Sequence, residues 1–238
     1  MSDAGAVVVS LRSVVKDYRG LRPLRVKALD LAHAESKALI GLDREAAQVL
    51  VDLITGSTVP DAGQVIAFGR DTRDIPNADA WLTSLERFGL FSERTVFVEQ
   101  FTAEQNLAIP LSLAVESLSD DVRARVRGLA DEVGLSPAEL SQVTETLTPP
   151  QRARLRLGRT LALGPDLLLL EHPTATLQGG DVAAFADTVT RIVERRRLSV
   201  LVLTAEKAFA RDVARTVLTW QPGSGELTPE SGWRRWFS

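Results

Sequence analysis

A glutamate and a histidine that follow four consecutive leucines are the residues of this chain best placed to do chemistry. Residues 167–170, all leucine, have the composition of a parallel strand buried on both faces, and Glu171 and His172 stand where that strand leaves the core. Ligands of α/β proteins bind at such strand ends. A carboxylate there can hold magnesium or a metal-bound water, and an imidazole, with an ordinary pKa of about 6.5, can deprotonate water. The pair therefore has the outline of a site for phosphate chemistry.

A second segment, residues 41–49, lies between a short apolar strand and a helix, which is the order of a phosphate-binding unit. Such a unit uses glycines so that backbone amides can wrap phosphates, a lysine to reach the terminal phosphates and a hydroxyl to hold magnesium. Only the first glycine, Gly41, is present here. Ala47 stands at the lysine position and Gln48 at the hydroxyl position, and no lysine occurs between Lys37 and Lys207 to substitute for it.

The same segment carries charges that oppose phosphate binding. Asp43 and Glu45 place carboxylates where phosphate oxygens would lie, and Arg44 and Ala46 replace glycines that adopt positive φ. At ~5 Å and an effective dielectric constant of ~20, each repulsion between unit charges costs about 3 kcal/mol. We therefore expect phosphate to bind weakly or not at all. The alternative is a reshaped loop in which Arg44 binds a phosphate.

The elements that would position these residues alternate between strands and helices. Strands are predicted at residues 6–11, 26–31, 37–41, 64–68, 166–170 and 199–204. Helices are predicted at residues 46–55, 120–132, 150–163, 182–196 and 207–214, the first ending at Gly56. From about residue 77 to residue 159 the pattern is mostly helical. Alternation of this kind predicts a parallel sheet flanked by helices, with a helical insert.

Composition narrows the function further. The chain has 238 residues, 45% apolar content and a net charge of −3 with its arginines dispersed, which makes nucleic-acid binding an unfavoured interpretation. It has no cysteine, and its two histidines, His33 and His172, cannot alone form a histidine metal site. No window approaches the roughly 18 consecutive apolar residues of a membrane span. We expect a soluble, cytoplasmic protein.

Four segments, in order, resemble the ATP-binding cassette of ABC transporters: residues 16–18 (Lys-Asp-Tyr), 53–65, 101–111 and 157–177. The resemblance covers nearly the whole chain. It implies an α/β, P-loop NTPase-like fold with a mostly parallel sheet flanked by helices, an N-terminal antiparallel β portion and a helical insert. Residues 1–76 and 160–238 would form the cassette core, and residues 77–159 the inserted helical subdomain.

The resemblance also assigns roles to residues. It implies ATP and magnesium as cofactors, with Tyr18 stacking on adenine and with Gln48 and Glu171 nearest any magnesium. The phosphate loop would be Gly41, Asp43, Arg44, Glu45, Ala46, Ala47, Gln48 and Val49, and the signature segment would be Thr148, Pro149, Pro150 and Gln151. In the family the signature's amides cap the γ-phosphate held by the opposite subunit, and prolines have no N–H to donate. Two prolines do suit the start of a helix.

The remaining catalytic positions of the family also differ in this chain. Glu93 falls on the Q-loop glutamine, Glu171 on the magnesium-associated aspartate, His172 on the catalytic glutamate, Gln178 on the D-loop aspartate and Ala205 on the switch histidine. Two interpretations of His172 stand side by side. It is either a general base for water, or, as we favour, a histidine packed at a strand end that hydrogen-bonds a neighbouring carbonyl or carboxylate.

These departures predict a pseudo-ATPase, a cassette subunit that keeps its shape but hydrolyses ATP poorly or not at all. Its expected partners are a second cassette and a membrane permease whose cytoplasmic coupling helix meets residues 91–111, with Phe91, Phe97, Val98 and Phe101 facing it or packed in the core. It would lie at the inner face of the cell membrane. The alternatives are an atypical ATPase using Arg44, Glu171 and His172, and a soluble scaffold without a permease. The tail, with Trp233, Trp236 and Phe237, could anchor a partner or fold back on the domain.

Overall fold

The N-terminal part of the molecule forms an antiparallel sheet. A computed structural model of the chain describes residues 6–230, and Trp233, Trp236 and Phe237 lie outside that range. Four strands, β1 (Val7–Lys16), β2 (Leu24–Ala32), β4 (Ala62–Ala67) and β5 (Arg70–Asp71), pair in the order β2-β1-β4-β5. Strand β1 bulges between Arg12 and Val15, where a side chain on Gly63 would collide with the backbone of Ser13. The predicted antiparallel portion is confirmed.

The second sheet has six strands in the order β10-β9-β3-β8-β7-β6. They are β3 (Ser36–Ile40), β6 (Phe88–Phe91), β7 (Leu167–Glu171), β8 (Ser199–Leu203), β9 (Thr216–Trp220) and β10 (Leu227–Pro229). All neighbours are parallel except β9 and β10, which form an antiparallel pair. The mostly parallel sheet predicted from the alternation of elements is therefore confirmed.

Eight α-helices lie within residues 6–230: α1 (Arg44–Thr55), α2 (Ala78–Leu85), α3 (Ala103–Ala108), α4 (Asp120–Val133), α5 (Pro137–Leu140), α6 (Pro149–Leu161), α7 (Gly180–Arg196) and α8 (Lys207–Val213). Short 3-10 turns occupy Thr72–Asp74 and Thr144–Thr146. Helix α1 ends at Gly56 in the left-handed conformation, as the sequence predicted. None of the helices in the described range is long and apolar enough to cross a membrane.

The predicted boundary of the helical insert needs a correction. Strand β6 lies inside residues 77–159, yet it pairs with β7 in parallel from Phe88 opposite Leu167 to Phe91 opposite Leu170. It is thus the edge strand of the core sheet. A four-residue apolar run cannot be distinguished by periodicity from a helical segment, which is why the sequence pattern missed it. The helices α3, α4 and α6 follow β6 and pack on one another.

Strand β7 separates two hydrophobic cores. Leu168 and Leu170 pack into a core with the helices α3, α4, α6 and α7, whereas Leu167 and Leu169 pack into a second core with α1 and the antiparallel sheet. This follows from the two-residue period of a strand, because successive side chains point to opposite faces. The four leucines are therefore required by packing on both sides of the sheet. They place Glu171 at the C-terminal end of β7.

Candidate functional site

The segment that follows β3 closes into a helix cap. Helix α1 begins at Arg44, and the side chain of Asp43 accepts a hydrogen bond from the backbone N–H of Ala46 at 2.8 Å. The carbonyl of Asp43 accepts from the N–H of Ala47 at 2.9 Å. Aspartate is a favoured N-cap because its carboxylate satisfies an N–H that has no partner within the helix. The carboxylate thus takes the place at the helix N-terminus where an anionic ligand would bind.

Ala46 and Ala47 are both completely buried, and they pack in the core beneath the antiparallel sheet. A longer side chain at either position would displace core atoms. The residue at the expected lysine position therefore faces the interior, and no cation from this turn reaches outward except Arg44. Gly41 has a φ of 98°, and a side chain there would meet the carbonyl of Trp220, so the one retained glycine serves the turn into the helix.

Arg44 is paired with the residue at the Q-loop position. Its Nη1 lies 3.0 Å from Oε2 of Glu93, and both side chains are partly exposed. Glu93 comes two residues after β6, so this ion pair joins the start of α1 to the segment leaving the edge strand. The guanidinium that could have met a phosphate is balanced by a carboxylate of the same chain.

Glu171 has an ion pair of its own. Its Oε2 accepts from Nη2 of Arg94 at 2.8 Å, and its side chain is only 10% exposed, against 47% for Arg94. Ser92 accepts from Nε of Arg94 at 3.2 Å and so helps to orient the guanidinium. Arg94 was not identified from the sequence. Its position next to Glu93, in a segment expected near the site, was the only available signal.

A third carboxylate, Asp52 on α1, lies beside this pair. Burial raises its pKa above the ordinary value of 3.8, Glu171 raises it further, and Arg94 together with a hydrogen bond from Gln48 acts in the opposite direction. The amide Nε2 of Gln48 lies 3.5 Å from Oδ2 of Asp52. Gln48, expected beside a magnesium ion, is therefore directed to Asp52. Asp52 is a second residue that was not identified from the sequence, because a carboxylate on an amphipathic helix is typical of the side of the helix that faces solvent.

The residues at the positions expected to hold magnesium and a triphosphate contact other groups of the same chain. The carboxylate of Glu171 is matched by a guanidinium, Gln48 is directed to Asp52, and the helix N-terminus is capped by Asp43. Within residues 6–230 no three histidine, aspartate or glutamate side chains converge as metal ligands. Glu171, Gln48 and Asp43 are therefore each engaged in a direct contact within the chain.

His172 lies at the end of β7 in a left-handed conformation with a φ of 42°. Its backbone N–H donates to the carbonyl of Leu203 at 2.8 Å, which continues the pairing with β8. Its Nε2 is buried and has no hydrogen-bond partner among the described residues. The side-chain hydrogen bond expected for a packed histidine is therefore not made by this nitrogen. Ala205 and Gln178 are both exposed.

The signature segment forms a capped helix start. Pro149 is the first residue of α6, and Thr148 and Gln151 cap it, with the N–H of Thr148 donating to Oε1 of Gln151 at 2.8 Å. Nε2 of Gln151 donates to Glu139 at 2.8 Å. The helix start predicted from the two prolines is confirmed. The side chains of Thr148 and Gln151 are thus both engaged within the chain.

Tyr18 lies close to the capped turn. Burial raises the pKa of its phenol, and the nearby carboxylates of Asp43 and Glu45 raise it further. Its ring rests against Gly20, where a side chain would come within 2.6 Å of a ring carbon. The structure therefore brings together the predicted adenine-stacking residue and two residues of the predicted phosphate loop.

The segment after β6, residues 92–101, is fixed by buried side chains. Phe91 and Phe97 are buried, 1% and 4% exposed, so both pack in the core. Asn106, completely buried, fixes the segment by donating to the carbonyl of Val98 at 2.8 Å and accepting from its N–H at 3.0 Å. The side chains of Val96 and Val98 point outward and are 79% and 38% exposed.

Basic residues of α6 surround the same segment. The guanidiniums of Arg152, Arg156 and Arg159 lie 5.2–5.6 Å from the ring centroid of Phe97. Arg152 pairs with Glu99 at 2.6 Å, and Arg159 donates to the carbonyl of Val96 at 2.8 Å. Burial lowers the pKa of Arg156 and of Arg159. Arg159 thus links α6 to the backbone of the exposed Val96.

Comparisons with known proteins agree with this architecture. A family model described as ABC transporter matches residues 30–175. The lipoprotein-releasing system ATP-binding protein LolD of Xylella fastidiosa is 26% identical over 201 residues, 84% of this chain and 82% of that protein. The methionine import ATP-binding protein MetN of Caulobacter vibrioides is 29% identical over 219 residues, 91% of this chain and 65% of that protein.

Two solved structures share the fold. The ATP-binding cassette MJ0796, a dimer in a post-hydrolysis state bound to ADP and phosphate, superposes with a TM-score of 0.76 at 19% identity and covers 94% of this chain and 99% of that one. CbiO1 of Clostridium perfringens, part of an ABC transporter complex, superposes with a TM-score of 0.78 at 16% identity, covering 92% and 86%.

Proposed function

The chain belongs to the ABC transporter family, and from that premise we propose that it is a cassette subunit that keeps the fold and has lost ATP hydrolysis. The observation that carries this proposal is the hydrogen bond from the N–H of Ala46 to the carboxylate of Asp43. A phosphate entering this turn has to displace a covalently attached anion of the same charge sign. Capping of this kind stabilises a helix by about 1 kcal/mol, and the like-charge repulsion adds to it.

The ion pair between Arg94 and Glu171 supports the same proposal at the magnesium position. A divalent cation has to compete with a guanidinium 2.8 Å from the carboxylate, and it finds Gln48 turned toward Asp52. General-base catalysis by His172 has no function without a bound phosphate. We therefore propose that ATP and magnesium bind this chain weakly or not at all.

Defects in both halves of the site determine what a dimer could do. Cassettes of the family bind each nucleotide between the phosphate loop of one subunit and the signature of the other. Here Ala47 replaces the lysine in the first element, and Pro149 and Pro150 remove amide donors from the second. We propose that this chain pairs with a second cassette and contributes a defect to each shared site.

We propose that its other partner is a membrane permease, which would place the protein at the inner face of the cell membrane. LolD and MetN are named as ATP-binding proteins of a lipoprotein-releasing and a methionine import system. The exposed surface for such contact is Val96 and Val98, with Val98 held by Asn106 and the carbonyl of Val96 bound by Arg159. In this role the subunit supplies a docking surface and dimer shape.

Calorimetric titration of the purified chain with magnesium and ATP tests the loss of nucleotide binding. We expect no saturable heat at micromolar nucleotide. Saturable binding with micromolar affinity would overturn the proposal and favour the rebuilt loop with Arg44 as a phosphate ligand. Phosphate release by the chain in complex with its permease, measured with and without His172→Ala, tests the catalytic part. Turnover that this substitution abolishes would establish an atypical ATPase.

Co-purification from detergent extracts of its own cell tests the permease partner. We expect the tagged chain to bring down an integral membrane protein, and Val96→Asp to reduce the yield strongly. Leu21→Asp is the matched control, since Leu21 is also an exposed apolar residue but lies between β1 and β2. Equal yields of a membrane protein from all three proteins would contradict the assignment of Val96 to the contact, and the lack of any membrane protein would favour a soluble scaffold.

A further inference from the structure

A cavity of about 280 Å³ lies away from the nucleotide-site positions, between the end of α1, the β4–β5 hairpin and α2. We name it the hairpin cavity. Its lining is partly apolar, through Ile54, Ala67 and Ile75, and it shares no residue with the group formed by Asp43, Glu93 and Glu171. Ligand pockets run from about 300 to 1,000 Å³, so this volume lies just below that range and suits a small molecule.

One wall of the hairpin cavity is aromatic and is held at a conformational cost. Phe68 has a φ of 50°, in the left-handed region that a bulky side chain rarely adopts. Its ring centroid lies 5.0 Å from that of Phe88, and the guanidinium of Arg87 lies 3.7 Å from the ring. Strained residues persist only where surrounding contacts hold them, and they are frequent at ligand sites. Here Phe68 and Gly69, with φ of 50° and 79°, form the two-residue turn between the paired residues Ala67 and Arg70, and this turn places the Phe68 ring in a cavity wall.

The charges at the hairpin cavity favour an anion. Arg70 is exposed and forms no ion pair with any residue in the described range 6–230. Arg87 uses its Nε for Asp166 at 2.7 Å, which leaves its other donors available. The one carboxylate of the lining, Asp71, already accepts from the N–H of Arg73 at 3.0 Å and from Gln64 at 2.9 Å. The lining therefore carries two guanidiniums against one carboxylate, and each oxygen of that carboxylate already accepts one hydrogen bond.

A buried hydroxyl adds an independent observation. Thr72 lines the hairpin cavity and is 4% exposed, and its Oγ1 has no hydrogen-bond partner among the described residues. Buried hydroxyls nearly always have a partner, because an unpaired one loses its hydration without compensation. A polar ligand group, reached by rotation of the threonine side chain, would supply that partner.

We propose that the hairpin cavity binds a small monoanion with a flat apolar body, the class represented by aromatic carboxylates. The flat body packs against Ile54, Ala67 and the edge of the Phe68 ring, whose face is covered by the Arg87 guanidinium, and the carboxylate is bound by Arg70 and by the free donors of Arg87. The ligand would contact α1, the hairpin and α2 together, so that binding stabilises the folded chain by mass action. This inference is independent of whether the chain binds or hydrolyses ATP.

Titration of the full ¹⁵N-labelled chain with benzoate, followed by NMR, tests the site. We expect saturable shifts confined to the amides of Gly69, Arg70 and Thr83. Acetate, which has the charge without the ring, should bind much more weakly, and so should benzyl alcohol, which has the ring without the charge. No saturable shift with millimolar benzoate, or equal effects of benzoate and acetate, would overturn the proposal.

Two substitutions locate the binding energy. Arg70→Gln should weaken benzoate binding about tenfold, the loss expected for one charge-assisted hydrogen bond. Arg22→Gln is the matched control, an exposed arginine outside the cavity with no ion pair in residues 6–230, and it should leave binding unchanged. Phe68→Gly keeps the positive φ and removes the ring, and should also weaken binding. If Arg70→Gln and Phe68→Gly both bind benzoate as tightly as the parent does, the proposal is wrong.

Discussion

Arg94 donates to Glu171 at 2.8 Å, and in this pair the carboxylate is buried while the guanidinium is half exposed. The two residues come from different places: Arg94 follows the edge strand β6, and Glu171 ends β7. Their neighbour Glu93 pairs with Arg44 at the start of α1. Adjacent residues of one short segment therefore connect it to the two elements that would hold phosphate and metal in the family. Charge balance at this site is achieved within the chain.

Removal of Arg94 should destabilise the protein. Arg94→Ala leaves the buried carboxylate of Glu171 without its partner, and we expect a loss of about 1–3 kcal/mol in the free energy of unfolding measured in urea. The double variant Arg94→Ala with Glu171→Gln should recover part of that loss, because no buried charge is then left unpaired. An Arg94→Ala protein as stable as the parent would show that water already compensates Glu171.

The cap of α1 should have a measurable stability. Asp43→Ala removes the acceptor for the N–H of Ala46, and we expect a loss of about 1 kcal/mol in urea denaturation. Asp43→Ser keeps an acceptor without the charge and should lie close to the parent. If Asp43→Ser binds ATP and the parent does not, the charge of Asp43 is what excludes phosphate.

Restoring the family's lysine alone should fail. Ala47 is completely buried, so Ala47→Lys forces an ammonium group into a core or opens the turn, and we expect a loss of about 2–4 kcal/mol. Ala47→Met adds similar length without charge and separates overpacking from charge burial. ATP binding gained by Ala47→Lys without loss of stability would contradict the packing described above.

Asp52 should make stability fall as the pH rises. Its pKa is raised in the folded protein, so between the ordinary value of 3.8 and the raised value the folded chain binds more protons than the unfolded chain. Stability contributed by this group is present below that window and lost above it. Asp52→Asn should therefore gain stability over the parent as the pH rises through the window. Asp187→Asn, on the exposed side of α7, controls for the loss of one charge, and an equal gain there would contradict the prediction.

Asn106 should govern the order of the segment that presents Val96 and Val98. Asn106→Ala removes bonds to both backbone groups of Val98 and to Thr144, so we expect about 2–3 kcal/mol of destabilisation. Hydrogen exchange at the amide of Val98 should accelerate more than exchange in β8. Uniform acceleration over both regions would indicate global loss of stability without a local effect.

The sequence was sufficient where a pattern has one physical cause. Pro149 and Pro150 predicted a helix start because proline fits only the first turn, and four leucines predicted a buried strand. Arg94, Asp52 and β6 were missed for a different reason. Their roles depend on which residues the fold brings close to them. The local sequence around an arginine, or around a four-residue apolar run, does not indicate which residues those are. Long-range ion pairs are a property of the assembled sheet.

Strand β7 also bears on how resemblance between such chains should be interpreted. Because its leucines fill cores on both sides of the sheet, natural selection for a folded subunit is enough to preserve the strand and its approach to Glu171. Catalytic side chains at its end are free of that pressure once turnover is no longer required. Among descendants of one ancestor, the strand leading into a site can therefore be retained after the site is lost. A shared strand of this kind indicates a shared packing arrangement more strongly than a shared reaction.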